Sequence, residues 1–352
     1  LTRLDAVSAH EPADLTATVQ AGARLGQVEA RLAAAGQFVP LDAPLMEEAT
    51  LGGVLAANLS GPQRCRYGTA RDLVLGVRVV HADGTVTKAG ARVVKNATAY
   101  DLTKLYLGSH GTLGVLIEAT LRLFPRPEAE RGWWIPLPDL DAAQALAIRI
   151  LGSHLTPDRL ELLGEAATRC SGLGRGESGL LVTCAGVREA LDAEAAVLAA
   201  FARAAGGDLR PVDDLARWAA VRDYPWRTQG EGWIARWRGG VLPADAAKAI
   251  RAAEACGGQD ARVSAAATVA AGAIRGEAAA GDPRALAATL VAVRRALEEL
   301  GGFVVILDAP ADVRAQVPAW GPDPEGVDVM QRLKRAFDPQ GILNPGRFVG
   351  GI

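Results

Sequence analysis

Between Asp14 and Pro127 the chain interrupts short β-forming runs with glycine-rich segments, and none of these has the spacing of a common nucleotide-binding fingerprint. Three stand out: Ala49–Gly61 (ATLGGVLAANLSG), Arg66–Gly76 (RYGTARDLVLG) and Gly108–Leu116 (GSHGTLGVL). A Rossmann domain needs GxGxxG at a strand-to-helix turn, and a Walker loop needs Lys-Ser or Lys-Thr after its last glycine. None of the three segments has either pattern, so a nicotinamide site of that kind has no support in them. Glycine without a Cβ lets the backbone approach a bulky anion, and successive amides in such turns form an anion-binding concavity. Thr50, Asn58 and Ser60 would add side-chain groups to the first segment.

The surrounding pattern predicts mixed secondary structure. Asp14–Ala21 reads as a strand, and Arg24–Ala35 as a helix with Leu25, Val28 and Leu32 on one face, stopped by Gly36. Val74–His81 reads as a strand entering a hairpin turn at Ala82–Thr85. Leu113–Phe124 reads as a pair of strand segments closed by Pro125 and Pro127. Beyond Pro127 the texture changes. Alanine-rich helices at Asp141–Leu151, Ala190–Ala205, Pro243–Ala255 and Pro283–Leu300 are interspersed with short strands at Gly179–Cys184, Gly232–Trp237 and Gly302–Leu307. This pattern predicts an α+β second domain. The Gly/Ala-rich stretch Ala265–Gly281 is expected to be a loop, and Val327–Phe337 a final amphipathic helix before a Gly/Pro-rich tail.

Composition narrows the function classes. A formal net charge of −2 gives no electrostatic case for binding nucleic acid or an acidic membrane surface. No apolar run approaches the roughly 18 residues of a membrane span. Cys65, Cys170, Cys184 and Cys256 are scattered without CxxC pairing, so neither an iron–sulfur cluster nor a structural zinc is expected on this chain. Buried or half-buried free thiols in a reducing cytosol are expected instead.

Taken in order, four segments resemble the vanillyl-alcohol-oxidase/p-cresol-methylhydroxylase family of flavoproteins. They are ATLGG…ANLSGP, RYGTARDLVLGVRVVHADG, VVKNATAYDLTKLYLGSHGTLGVLIEATLRL and the terminal LKRAFDPQGILNPGRF. Within that family the likeness is greatest to the FAD-binding subunits of bacterial glycolate oxidase complexes. The resemblance covers Leu1–Pro127 and Val329–Phe348, with a weaker echo at Trp218…Arg222 and Trp237…Pro243. It implies an α+β protein: an FAD-binding domain over 1–127, incomplete at its N-terminus, and a cap domain over 128–325 with an antiparallel sheet. A C-terminal helix and tail over 326–352 would return to the FAD domain.

Carried over by position, Thr50, Gly52, Gly53, Asn58 and Ser60 would line the pyrophosphate and ribityl chain of FAD. Gly68 and Thr69 would sit beside the flavin, Gly111, Gly114 and the backbone around Leu116 would approach the adenosine half, and Asn344 would return to the flavin edge. Family members carry a further phosphate loop upstream of the part matching Leu1–Leu15. Because the sequence opens on Leu1 without an initiating Met, more chain is expected upstream.

Oxidising a 2-hydroxy acid needs a cation for the carboxylate and a base for the hydroxyl proton. Catalytic relatives carry a histidine-rich, often metal-binding cap motif, whereas His10, His81, His110 and His154 are widely separated here. His10 and His154 are expected in solvated turns and His81 in a structural role. His110, between two glycines, is the one expected near cofactor. No catalytic residue and no metal ligand is assigned. Arg66, Arg71 and Arg347 are candidate carboxylate cations, with Arg71–Asp72 equally readable as an ion pair.

The resemblance implies a subunit that works beside a catalytic flavoprotein subunit and an iron–sulfur subunit of a glycolate oxidase complex. Such a subunit would be cytoplasmic, with peripheral inner-membrane association through partners, and would act on a small 2-hydroxy acid. Two other readings stay open: a self-contained FAD-dependent D-lactate or 2-hydroxy-acid dehydrogenase, and a cofactor-free assembly scaffold.

Overall fold

The computed structural model describes residues 1–90, 101–212, 214–228 and 232–352. They form two compact units, Leu1–Arg126 with Pro322–Ile352, and Pro127–Gly321. Each is α+β and built on an antiparallel sheet.

In the first unit the expected strands form, joined by one at Val7–Glu11 that was not expected. Strands β1 (Val7–Glu11), β2 (Thr16–Gln20), β3 (Val74–Val80), β4 (Val86–Gly90) and β5 (Val115–Arg122) form one sheet in the order β1-β2-β5-β3-β4. Register is set where Thr18 faces Thr120 and Val77 faces Ala119, and the two threonine hydroxyls share a buried hydrogen bond of 3.0 Å. Helix α1 (Leu25–Ala33) buries Leu25, Val28 and Leu32, the face its periodicity predicts. Gly36 follows at φ 68°, a conformation open to glycine and costly for other residues. Helix α2 (Leu51–Ala57) lays Leu51, Val54 and Leu55 into the same core as Val19, Val79 and Leu121.

The stretch Leu113–Phe124 holds two strand segments, as expected: Val115–Arg122 ends at Leu123, and Phe124–Pro125 forms a two-residue ladder against Gln37–Phe38. The helix Val327–Phe337 belongs to this unit, with its Phe337 ring against His81 (5.6 Å between centroids) and Tyr106 (6.2 Å). Of the Val94–Leu102 motif, residues 94–100, including Lys95 and Tyr100, lie outside the described residues.

Among its described residues the second unit holds eight strands: β6 (Ala129–Pro136), β7 (Arg159–Leu163), β8 (Gly179–Gly186), β9 (Arg210–Pro211), β10 (Trp233–Gly240), β11 (Ala261–Thr268), β12 (Ala273–Ala280) and β13 (Phe303–Asp308). They pair in the order β9-β6-β8-β7-β11-β12-β10-β13. Helices Arg188–Ala204, Leu140–Leu151, Ala246–Ala255 and Pro283–Glu298 lie side by side against the sheet. Asp139 and Asp282 cap two of them through the amides of Ala142, and of Arg284 and Ala285. A single 3₁₀ turn, Pro243–Asp245, precedes the helix that starts at Ala246.

The expected loop at Ala265–Gly281 is instead the heart of this sheet. Ala261–Thr268 and Ala273–Ala280 are a hairpin in unbroken register, Ala261 opposite Ala280 to Thr268 opposite Ala273, turned through Gly272 at φ 57°. Alanine is a poor strand former when strands are judged by intrinsic preference. Here burial decides, because Ala265, Ala266, Ala267 and Ala278 have no exposed surface. Helix Ala246–Ala255 presents its own buried Ala246, Ala249 and Ala253 to β11, and small side chains on both elements allow a close approach. The missed β7 and β6 are short runs of mixed polarity (RLELL, AERGWWIP).

Candidate cofactor site

Helix α2 organises the first part of the site. Thr50 caps it by accepting a hydrogen bond from the Gly53 amide (3.3 Å), and Asn58 ends it in the left-handed region at φ 47°. The two glycines differ in role. A Cβ on Gly52 would lie 2.8 Å from Ala21 Cβ, so its bareness seats the helix on β2's end. Gly53 is exposed and would meet only Thr50 Oγ1.

The C-terminal end of α2 receives a second loop. The amides of Gly108 and His110 donate to the carbonyls of Leu55 (3.0 Å) and Ala56 (2.8 Å). The loop needs three left-handed residues, Gly108 (φ 81°), His110 (φ 53°) and Gly111 (φ 75°). Ser109 Oγ and Thr112 Oγ1 brace it by donating to the carbonyls of Tyr106 and Ser109. Gly108 lies so near Asn58 that a Cβ would come within 3.1 Å of Asn58 Cβ.

The C-terminal tail completes the arrangement. Asn344, itself at φ 43°, donates from Nδ2 to the His110 carbonyl (2.7 Å). A Cβ on Gly111 would sit 2.9 Å from that same Nδ2. Asn58, Gly111 and Asn344, far apart in sequence, are thus brought to one place through His110. Gly111→Ala should lower the first unit's stability by about 1–2 kcal/mol, the usual cost of forcing a side chain into the left-handed region. It should also displace Asn344, read by amide exchange across residues 342–348.

Ser60, Gly68 and Thr69 form a second cluster. Ser60 Oγ accepts from the Ala70 amide (3.3 Å), while Thr69 gives both its amide and its hydroxyl to Asp72 Oδ2 (2.8 and 3.0 Å). A Cβ on Gly68 would strike the Asp72 carboxylate. Gly114 and Leu116 stand apart. A Cβ on Gly114 would lie 2.3 Å from Val79 Cγ1, and Leu116 is buried opposite Val79, so both positions are filled by core packing.

Two residues that sequence reasoning passed over are Lys334 and Asp338. The buried Lys334 Nζ donates to Thr112 O (2.9 Å), Leu343 O (2.8 Å) and Asp338 Oδ2 (2.6 Å). Asp338 also accepts from the Ile342 and Leu343 amides. Burial pushes the Asp338 carboxyl upward, but Lys334 and the two amides outweigh it and hold the group below the usual carboxylate range. The available signal was a Lys and an Asp four residues apart, straddling the end of an amphipathic helix.

Other expectations need correction. His10 lies in β1, half-buried, with Nε2 2.8 Å from Gln37 Oε1, because strand pairing carries it off the solvated turn. His154 is exposed, and His81 bonds Thr87. Cys170 is exposed rather than buried. Arg71 donates to the Lys104 carbonyl while Asp72 binds Thr69, so they do not form the ion pair considered.

In the second unit, β10, β12 and β11 place Arg236, Arg238, Arg275, Glu277 and Ser264 on one sheet face. Arg275 bonds Glu161 (2.6 Å) and the carbonyls of Val221 and Tyr224, and Arg236 bonds Pro225 O and Asp308. These two guanidinium groups fasten the 221–225 segment. Among the described residues no group of three His, Cys, Asp or Glu could hold a metal. No helix of the described residues is long and apolar enough to cross a membrane.

The site can be tested against a flavin. Asn58 Oδ1 is buried without a hydrogen-bond partner among the described residues, and a buried acceptor left so costs about 1–3 kcal/mol. A flavin nucleotide offers ring N–H and ribityl hydroxyl donors, and Gly53 and Gly111 leave backbone open to it. The residues fit that group. Residues 1–90 match the FAD binding domain family, and residues 320–348 match the C-terminal domain of FAD linked oxidases.

Both ends of the chain are similar to FAD-linked oxidases.

Both matches support FAD as the cofactor. Glycolate oxidase subunit GlcE of Escherichia coli K12 is 43% identical over 34% of the chain and 35% of its own length. Glycolate oxidase subunit GlcD of Bacillus subtilis 168 is 36% identical over 43% of the chain and 32% of its own length. The chain thus spans about a third of the length of these two relatives. An FAD-linked oxidoreductase of Mycobacterium tuberculosis CDC 1551, itself uncharacterised, is 29% identical over 99% of the chain and 80% of its own length.

Among solved structures, alkyldihydroxyacetonephosphate synthase superposes with a TM-score of 0.76 at 18% identity, covering 99% of this chain and 68% of that one. Substrate-bound p-cresol methylhydroxylase gives 0.72 at 16%, covering 99% and 78%. Both share the fold of this chain.

Proposed function

We propose that this chain is the FAD-binding subunit of a 2-hydroxy-acid oxidising complex of the glycolate oxidase type. It would work beside a catalytic flavoprotein subunit and an iron–sulfur subunit. The observation that carries the cofactor role is the orphaned Asn58 Oδ1 beside the Gly111–Asn344 contact. The likeness to the two glycolate oxidase subunits supports the substrate class.

In this reading Thr50, Gly53 and Ser60 face the pyrophosphate and ribityl chain, Asn58 accepts a hydrogen bond from the cofactor, and Gly68 and Thr69 flank the ring. Asn344 and the Gly111 backbone close the flavin edge. Gly52, Gly114 and Leu116 serve by packing and by backbone alone. Bound flavin supplies the acceptor for a hydride from the hydroxyl-bearing carbon. The chain's residues hold that acceptor and shield it from water. No base or carboxylate cation is assigned to them, which favours a partner as the catalytic subunit.

The full-length protein should purify with a flavin spectrum that glycolate bleaches only when the partner subunits are added. Bleaching by glycolate or D-lactate without partners would establish the self-contained dehydrogenase instead, a reading favoured by likeness to D-lactate dehydrogenases of Arabidopsis thaliana (36% identical over 47% of the chain) and Anaerostipes hadrus (32% over 46%). A full-length protein that takes up no FAD would leave the scaffold.

A further inference from the structure

One ammonium group joins the two halves of the candidate site. Lys334 has three N–H donors, and all three are used: Asp338 Oδ2, Thr112 O and Leu343 O. Thr112 directly follows Gly111, and Leu343 directly precedes Asn344. Lys334 therefore sets the backbone on both sides of the Gly111–Asn344 contact, where a Cβ would come within 2.9 Å. Asp338 fixes the ammonium from below and holds the tail by the Ile342 and Leu343 amides. The far side of the loop is anchored independently, on α2 through Leu55 and Ala56.

A buried ion pair is a poor way to gain stability, because apolar residues of similar volume commonly do as well. What apolar residues cannot do is bind two backbone carbonyls from different segments at once. Lys334 is 9% exposed and Asp338 2%, so both are withdrawn from solvent behind the tail.

We propose that Lys334, oriented by Asp338, is a positioning residue of the FAD site, a latch that sets the spacing between the Gly108–Thr112 loop and Asn344 without touching the cofactor. The proposal rests on the cofactor reading above.

The test compares wild-type full-length protein with Lys334→Met/Asp338→Asn, which removes both charges together, and with Lys334→Arg, which keeps donors for the carbonyls. Denaturation midpoint, FAD affinity, the visible spectrum and fluorescence of bound flavin, and amide exchange at residues 108–112 and 342–346 are measured on each. The neutral pair should keep a near-wild-type midpoint yet bind FAD at least about tenfold more weakly, a loss of about 1.4 kcal/mol. Its bound flavin should resemble free FAD in spectrum, and exchange should quicken in both segments. Lys334→Arg should recover much of the affinity.

A folded neutral pair with wild-type affinity, spectrum and exchange would overturn the latch. Should the neutral pair fail to fold, Lys334→Arg decides alone: unchanged exchange together with lowered FAD affinity would overturn it. Should wild-type protein take up no FAD, the cofactor reading falls, and exchange in the two segments still decides the latch by whether it quickens.

Discussion

Replacing Trp237 by alanine should destabilise the second unit by about 3–5 kcal/mol, the usual cost of deleting a fully buried large aromatic side chain. Trp237 lies in β10 with no exposed surface, directly opposite Gly276 of β12. A Cβ on Gly276 would fall 2.3 Å from the indole Cζ2 and 2.5 Å from the Ser264 carbonyl, so the glycine is the space into which the ring fits. Gly276→Val should therefore be comparably damaging from the opposite side. Trp237→Phe should cost less than half as much, since the indole Nε1 has no hydrogen-bond partner among the described residues to lose. All seven tryptophans fall between 133 and 320, inside the second unit, so tryptophan fluorescence during urea unfolding reports that unit alone. Equal midpoints for Trp237→Ala and wild type would refute the account.

Both units should lose stability as pH rises from 5 to 8. In the first unit burial drives the Glu29 carboxyl up, against the Val39 amide and Arg126, from the ordinary 4.5 to about 7. In the second, burial does the same to Glu254, also to about 7, against the Ala265 amide and with Glu165 adding to the rise. A folded-state pKa above the unfolded one means the native state binds the proton more tightly. The stabilisation is complete below pH 4.5, declines through the interval, and is gone above about 7.

For Glu29 the interval of about 2.5 units converts to about 3 kcal/mol at 1.36 kcal/mol per unit, an upper value because the side chain is 17% exposed. Glu29→Gln keeps an acceptor for the Val39 amide and removes the titration. It should stabilise the first unit at pH 8 by up to that amount and leave it unchanged near pH 4, as read by calorimetry. A wild-type curve parallel to the variant's across this range would show that Glu29 stays ionised in the fold.

What could be read from the sequence was whatever depends on local pattern. Leu25, Val28 and Leu32 marked a helix face, and VLGVRVVH followed by ADGT marked a strand and its turn, because period and turn chemistry are properties of neighbours along the chain. The alanine hairpin 261–280 could not be read that way. Its residues are in strands because helix Ala246–Ala255 covers them, a fact absent from any short window.

The site divides along the same line. Motif position pointed to Asn58, Gly111 and Asn344, whose meeting the fold brings about, and gave Gly114 and Leu116 the same weight although they are core. Lys334 and Asp338 went unnoticed because three of the latch's contacts cross to Thr112 and Leu343, and no periodicity reports a bond spanning 222 residues.

The first unit is assembled from both ends of the chain, with Pro127–Gly321 inserted between them. A ribosome delivers residues in order, and domains tend to fold as they emerge. The inserted unit can close while synthesis continues, but the Gly108–Thr112 loop must wait some two hundred codons for Lys334 and Asn344. During that interval nascent chains carry the 108–112 loop without its counterpart. Premature termination between residues 127 and 321 would release a first unit that lacks its closing segment.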